Sequence, residues 1–154
     1  MNEKRITPEE INSLEKDEVF VFGSNESGIH GAGAAALAYK KFGAQFGKGW
    51  GLSAQCFAIP TKDWEIKTLP LEVIEFYVER FIAFSQGYYH SKWKFYVTKI
   101  GCGLAGYTVE DIAPFFKECL NYRNIYLPQE FHDFLDKFKS DVSLDKVSWH
   151  NKLT

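Results

Sequence analysis

The chain lacks the features that mark several classes of protein. It holds no run approaching the roughly 20 apolar residues of a membrane span. Met1 to Glu10 contain no apolar segment of the kind a signal peptide needs, so the expectation is a cytoplasmic protein with no membrane partner. Cysteine is scarce: Cys56, Cys102 and Cys119 are an odd number without a CxxC pair, which encodes neither a disulfide framework nor a zinc site. Reduced thiols, no metal and no resident cofactor are expected. Cations are not in excess either. With 18 Lys+Arg against 20 Asp+Glu the net charge is −2, too little positive charge for a general nucleic-acid clamp. Internal repeats are missing.

What is present is the balance of one globular domain: 154 residues, 45% apolar and 25% charged. Aromatic residues make up 17%, and most fall at core spacing, which assigns them to packing rather than to base stacking. Glycine is the informative residue. Of the 12, eight lie between Gly23 and Gly51, three are Gly101, Gly103 and Gly106, and Gly87 stands apart. Two loops are glycine-rich, and the remainder reads as regular structure.

Thr7-Pro8-Glu9-Glu10 has the cap, proline and acidic residue of a helix start, predicting a short helix to about Lys16. Val19 to Phe22 is a continuous apolar run that suits a strand covered on both faces, ended by Gly23. Small residues from Gly31 to Phe42 predict a helix lying close to the sheet. Cys56 to Ile59 reads as a second buried strand, stopped by Pro60. An apolar stripe from Pro70 to Ser85 predicts an amphipathic helix, and Phe95 to Ile100 a third strand. Thr108, with Asp111 three residues on, caps another helix, whose first turns Pro114 should loosen. A short strand at Asn124 to Leu127 and a helix after Pro128, with Phe131, Phe134, Leu135 and Phe138 inward, complete the domain at residues 1–139. Residues 140–154 read as a polar tail, anchored by Trp149.

Strands alternating with helices predict an α/β domain with a mainly parallel sheet covered on both faces. In such folds ligands bind beyond the carboxyl ends of the strands, where both glycine loops fall. In the first loop, Gly23 to Gly33, backbone N–H groups and a helix start favour an anion, although tight turns need glycine too. The second, Gly101 to Gly106, has the same strand-to-helix setting. Two such loops at one sheet edge suit the two phosphates of a nucleoside diphosphate. Neither is a Walker A sequence, and neither is GxGxxG followed by an acidic residue about 20 positions later, so ATPase and dehydrogenase chemistry lose support.

Gly31-Ala32-Gly33 running into Ala34-Ala35-Ala36-Leu37-Ala38-Tyr39-Lys40-Lys41-Phe42-Gly43, together with Lys99-Ile100-Gly101-Cys102-Gly103-Leu104, resembles the macrodomain family. The similarity covers about Phe20 to Leu127 and is greatest to the branch of terminal ADP-ribose glycohydrolases. It implies a three-layer α/β/α sandwich with a mixed, mainly parallel sheet. It also implies a cleft for a nucleotide such as ADP-ribose, free or on an ADP-ribosylated macromolecule. By the same resemblance Asn25, beside Ser24, would hold the distal ribose, and Gly31, Ala32 and Gly33 would lie next to it. Gly101, Cys102, Gly103, Leu104, Ala105, Gly106 and Tyr107 would form the phosphate loop. Lys62, after Ile59-Pro60-Thr61, would attack the ribose anomeric carbon. The chain departs from that branch at two places: Ala105 stands where its catalytic acid follows Gly-Cys-Gly-Leu, and no N-terminal strand ending in an adenine-binding aspartate is evident.

Each residue also has a plainer reading. Lys62 is a nucleophile only if its amine is deprotonated, and otherwise a solvated loop charge. Asp63 can replace the missing acid only if it shares a side with Lys62, whereas neighbours on an extended segment point apart. Asn25 alone would read as a turn residue. His30 is either a ligand contact or a surface histidine. Cys102 has no histidine close in sequence and reads as a small buried residue. Glu110 and Asp111 read as helix-start charges, and Tyr107 as a residue that packs on a ribose or closes its loop. Three functions follow: an ADP-ribosyl hydrolase, a non-catalytic ADP-ribose reader, or an interaction scaffold without a ligand. No oligomeric state is indicated.

Overall fold

The computed structural model describes residues 3–140, so the expected tail with Trp149 lies outside them from residue 141 on, as does the side chain of Phe138. Strand β1 (Glu18–Asn25) is the centre of a five-stranded sheet. It pairs in parallel with β3 (Cys56–Lys62) on one side and with β4 (Lys94–Val97) on the other. Beyond β3 runs the antiparallel β2 (Gly51–Ser53), and beyond β4 the parallel β5 (Ile125–Tyr126). The sheet is therefore mixed but mostly parallel, in the order β2-β3-β1-β4-β5.

The apolar run of β1 is divided between two cores by the two-residue period of a strand. Val19 and Val21 pack with Phe57, Ile59, Phe95 and Val97 against α2 (Leu71–Ser85) and α4 (Gln129–Ser140). Phe116 and Cys119 join that core from the helical segment that begins as α3 (Val109–Ile112). Phe20 and Phe22 face the other way, against α1 (Gly33–Leu37), its extension to Phe42, and Ile11. Helices and chain thus cover both faces, giving the three-layer α/β sandwich. Among the described residues no helix is long and apolar enough to cross a membrane.

Several elements differ from expectation, each for a local reason. The helix expected from Thr7 to Lys16 does not form. Thr7 donates its hydroxyl to Val97 O at 2.7 Å and its N–H to Leu127 O at 2.8 Å, while Leu127 N–H bonds to Arg5 O at 3.1 Å. The would-be capping group is spent on the sheet, and Ile6 bridges Leu127 in parallel. Gly23 does not end β1, which runs two residues further. Nor does Pro60 end β3. Proline is tolerated there because β2 already stops opposite Ala58, and because the ladder slips after Ser24↔Pro60 to Asn25↔Lys62, leaving Thr61 as the extra residue of a bulge.

The helix after the first loop has only five α-helical residues and then widens into a π-turn over Ala38–Phe42. β4 stops at Val97 rather than Ile100, because Ile100 N–H bonds back to Thr98 O at 2.8 Å and turns the chain. The strand expected at Asn124 to Leu127 keeps only Ile125–Tyr126, and β2 carried no signal that was recognised. Thr108 and Asp111 do form the reciprocal capping box of α3. With Pro114 unable to donate, the chain continues from Ala113 to Asn121 as a 3-10 helix.

Candidate functional site

The three parallel strands β1, β3 and β4 end side by side, and a cleft of about 580 Å³ opens beyond their carboxyl ends. Both glycine loops line it. Ser24, Asn25, Gly31, Ala32 and Gly33 come from the first, Lys62 from the end of β3, and Gly101 through Ala105 from the second. The second loop lies beside β1 at Gly23, where a Cβ would be in ordinary contact, 3.6 Å from Gly101 N and from Ile100 Cα. Residues far apart in sequence thus share one cavity, of a size typical for a nucleotide-sized ligand.

Four expected site residues lie elsewhere. Asp63 does not line the cleft: its Oδ1 accepts the N–H groups of Glu65 and Lys67 at 2.8 and 2.9 Å and shapes the turn after β3. His30 is buried behind the first loop, with Nε2 at 2.9 Å from Gln45 O and 3.2 Å from Lys48 O, so that nitrogen carries the proton. Gly106 and Tyr107 close the second loop, Tyr107 by donating its hydroxyl to Leu69 O at 2.6 Å. Asn25 is at the cleft, but its side chain is engaged: Nδ2 donates to Ile29 O at 2.8 Å, and Oδ1 accepts Ile29 N–H and the Ser27 hydroxyl, both at 2.9 Å. It shapes the loop from within. Ser24 likewise donates its hydroxyl to Gly49 O.

The electrostatics are one-sided. Among the described residues Lys62 and Lys99 line the cleft and no carboxylate does, in a chain whose net charge is −2. The Lys62 side chain has no hydrogen bond or ion pair with the described residues, so its Nζ is free for a ligand. Lys99 reaches Glu130 at 2.9 Å, a contact that raises the lysine pKa and lowers that of the carboxyl. The backbone N–H groups of Gly31 to Gly33 and of Gly103 to Ala105 bond to no described group. Because α1 is so short, it is these amides and the two lysines, rather than a helix dipole, that make this edge of the sheet electropositive.

Cys102 is half-buried at the cleft. Burial pushes its thiol up to about 11 despite the nearby Lys99, so at neutral pH it is an inert thiol rather than a nucleophile. Ala105 also lines the cleft, and its carbonyl accepts the Thr68 hydroxyl at 2.9 Å. Among the described residues there is no cluster of three or more His, Cys, Asp or Glu able to hold a metal.

Sequence reasoning missed Lys99, Thr98 and Ile66 as cleft residues. The first two immediately precede the second glycine loop, and a strand end before such a loop was a usable signal. Ile66 had none. No protein family, no curated protein and no solved structure matches the chain.

Proposed function

We propose that the chain is a macrodomain-like protein that binds ADP-ribose, or a related nucleoside diphosphate, free or attached to a macromolecule. One observation carries this: two glycine loops and two lysines surround a single cleft of about 580 Å³ that no carboxylate among the described residues lines. Gly31 and Gly103 add to it. A Cβ at either would meet nothing within 4 Å, and neither has a positive φ, so packing and backbone conformation do not demand glycine there. A ligand that lies close against the loops does demand it.

Binding without turnover is the favoured form. Hydrolysis through Lys62 would need an acid or base beside the ribose, and Ala105 and the engaged Asp63 supply none. The unpaired Lys62 on the cleft wall is the one feature that favours the hydrolytic form.

Calorimetric titration with ADP-ribose, beside AMP, ADP and NAD, tests the reading. Selective heat with ADP-ribose that disappears in Gly103→Glu is the expected result. Absence of heat and of a thermal shift with all four nucleotides would refute it and leave a scaffold. Turnover of an ADP-ribosylated substrate that Lys62→Ala abolishes would establish the hydrolytic form instead.

A further inference from the structure

The segment between Lys62 and Thr68 is a tongue at the cleft mouth. An antiparallel bridge joins its two ends, and Asp63 N–H bonds to Lys67 O at 2.7 Å. Inside it, Asp63 accepts from Glu65, Ile66 and Lys67 through its carboxylate and carbonyl oxygens. Outside, Thr68 ties it to the second glycine loop through Ala105 O. The construction is rigid for an exposed turn, and at its tip it holds Ile66 at φ +64.

A β-branched residue in that region is a true outlier, since its Cβ crowds the following carbonyl. The other described non-glycine residue with positive φ, Ala54, is small and sits in the β2–β3 turn away from the cleft. Ile66 has no core role that would repay the strain: the residue is 41% exposed, and it lines the cleft, as does Leu104 at 74% on the second loop. Glycine or asparagine would suit the backbone better. Strain kept at a cleft wall points to the ligand.

We infer that Ile66 is a specificity-determining residue, which the Asp63-centred turn holds over the cleft so that, with Leu104, it packs on an uncharged planar face of the ligand. This rests on the nucleotide reading above and deepens it: the glycine loops and lysines take the diphosphate, and Ile66 selects for what the diphosphate is attached to. Inorganic pyrophosphate should then be blind to residue 66, and ADP-ribose should not.

The test is Ile66→Asn, which accepts a positive φ and keeps the turn while replacing the apolar wall. Wild type and variant are titrated with ADP-ribose and with inorganic pyrophosphate, and both are melted. The expected result is a melting temperature equal to or above wild type, ADP-ribose affinity lower by about tenfold, and unchanged pyrophosphate affinity. Equal ADP-ribose affinities overturn the assignment of Ile66 while leaving the nucleotide reading intact. Parallel loss of both ligands also overturns it, because the variant would then have disturbed the phosphate site. Failure of the wild type itself to bind ADP-ribose refutes the nucleotide reading, and this inference with it.

Discussion

Gly49→Ala should destabilise the protein far more than a single methyl group suggests. Gly49 is buried, and a Cβ there would sit 1.9 Å from Asn25 O, 2.9 Å from Asn25 C and 3.0 Å from Glu26 C. Every one of those atoms is backbone, so no side chain can swing aside to make room. The chain around Gly49 must move away from the end of β1. That movement breaks the hydrogen bond from Ser24 to Gly49 O and crowds the one from Gly28 N–H to Asn25 O, 3.0 Å long. Overpacking of this kind costs about 1–3 kcal/mol, and a lost buried hydrogen bond adds about 1 kcal/mol. The sum of about 2–4 kcal/mol corresponds to a melting temperature lower by about 4–16 °C for a domain of this size. Thermal melts followed by near-ultraviolet circular dichroism, with Gly103→Ala as the control, measure it. The control has open space at its Cβ and should melt with the wild type. A Gly49→Ala protein melting within about 1 °C of wild type would show that the contact between this loop and β1 is not formed as described.

Two further outcomes can be measured on the same protein. Tyr96 donates to Glu18 Oε2 at 2.6 Å, and that hydrogen bond, ahead of the opposing effect of burial, holds the Glu18 carboxyl below its ordinary value. A depressed folded-state pKa stabilises above the unfolded value and is lost as pH falls through the folded one. Tyr96→Phe should therefore be less stable by about 1 kcal/mol at neutral pH, with the gap closing in acid; urea melts showing a constant gap from neutral to strongly acidic pH would contradict this. Glu130→Gln should free Lys99 for the cleft and tighten pyrophosphate binding by about two- to five-fold, a modest gain because both side chains are about half exposed. Titrations at low salt and at about 0.5 M salt check it, the gain vanishing in the latter; unchanged or weaker binding at low salt would count against an anion site at Lys99.

The elements that the sequence made legible are those whose local and tertiary demands agree. The run Val19 to Phe22 is apolar on both sides because both sides are covered, and Leu71–Ser85 keeps one apolar stripe because only one side is. Where the two demands conflict, tertiary structure wins. Thr7-Pro8-Glu9-Glu10 has every local mark of a helix start, yet the Thr7 hydroxyl is worth more to Val97 O than to a first turn, because that carbonyl at the end of β4 is buried and needs a donor. Pro60 has every mark of a strand stop, yet β3 passes it because the neighbouring strand has already ended there. Neither fact is local, so periodicity and turn chemistry cannot carry it.

The same division explains the site. Glycine marked both loops correctly, but a glycine in a sequence does not say whether protein or ligand occupies the space its side chain would have filled. At Gly28 the occupant is protein: φ is +74 and a Cβ would lie 2.3 Å from Lys48 N. At Gly101 it is again protein, with Ile112 Cδ1 at 2.9 Å. At Gly31 and Gly103 a Cβ would meet no described atom beyond the chain neighbours within 4 Å, and both residues line the cleft. Ile66 inverts the case. There the backbone calls for glycine and the chain supplies a branched side chain, so no propensity rule could have pointed to it. A glycine where the fold needs none and an isoleucine where the backbone resists one share a single cleft. We propose that such residues, which the fold does not require and which gather at the wall of one cavity, mark it as a ligand site.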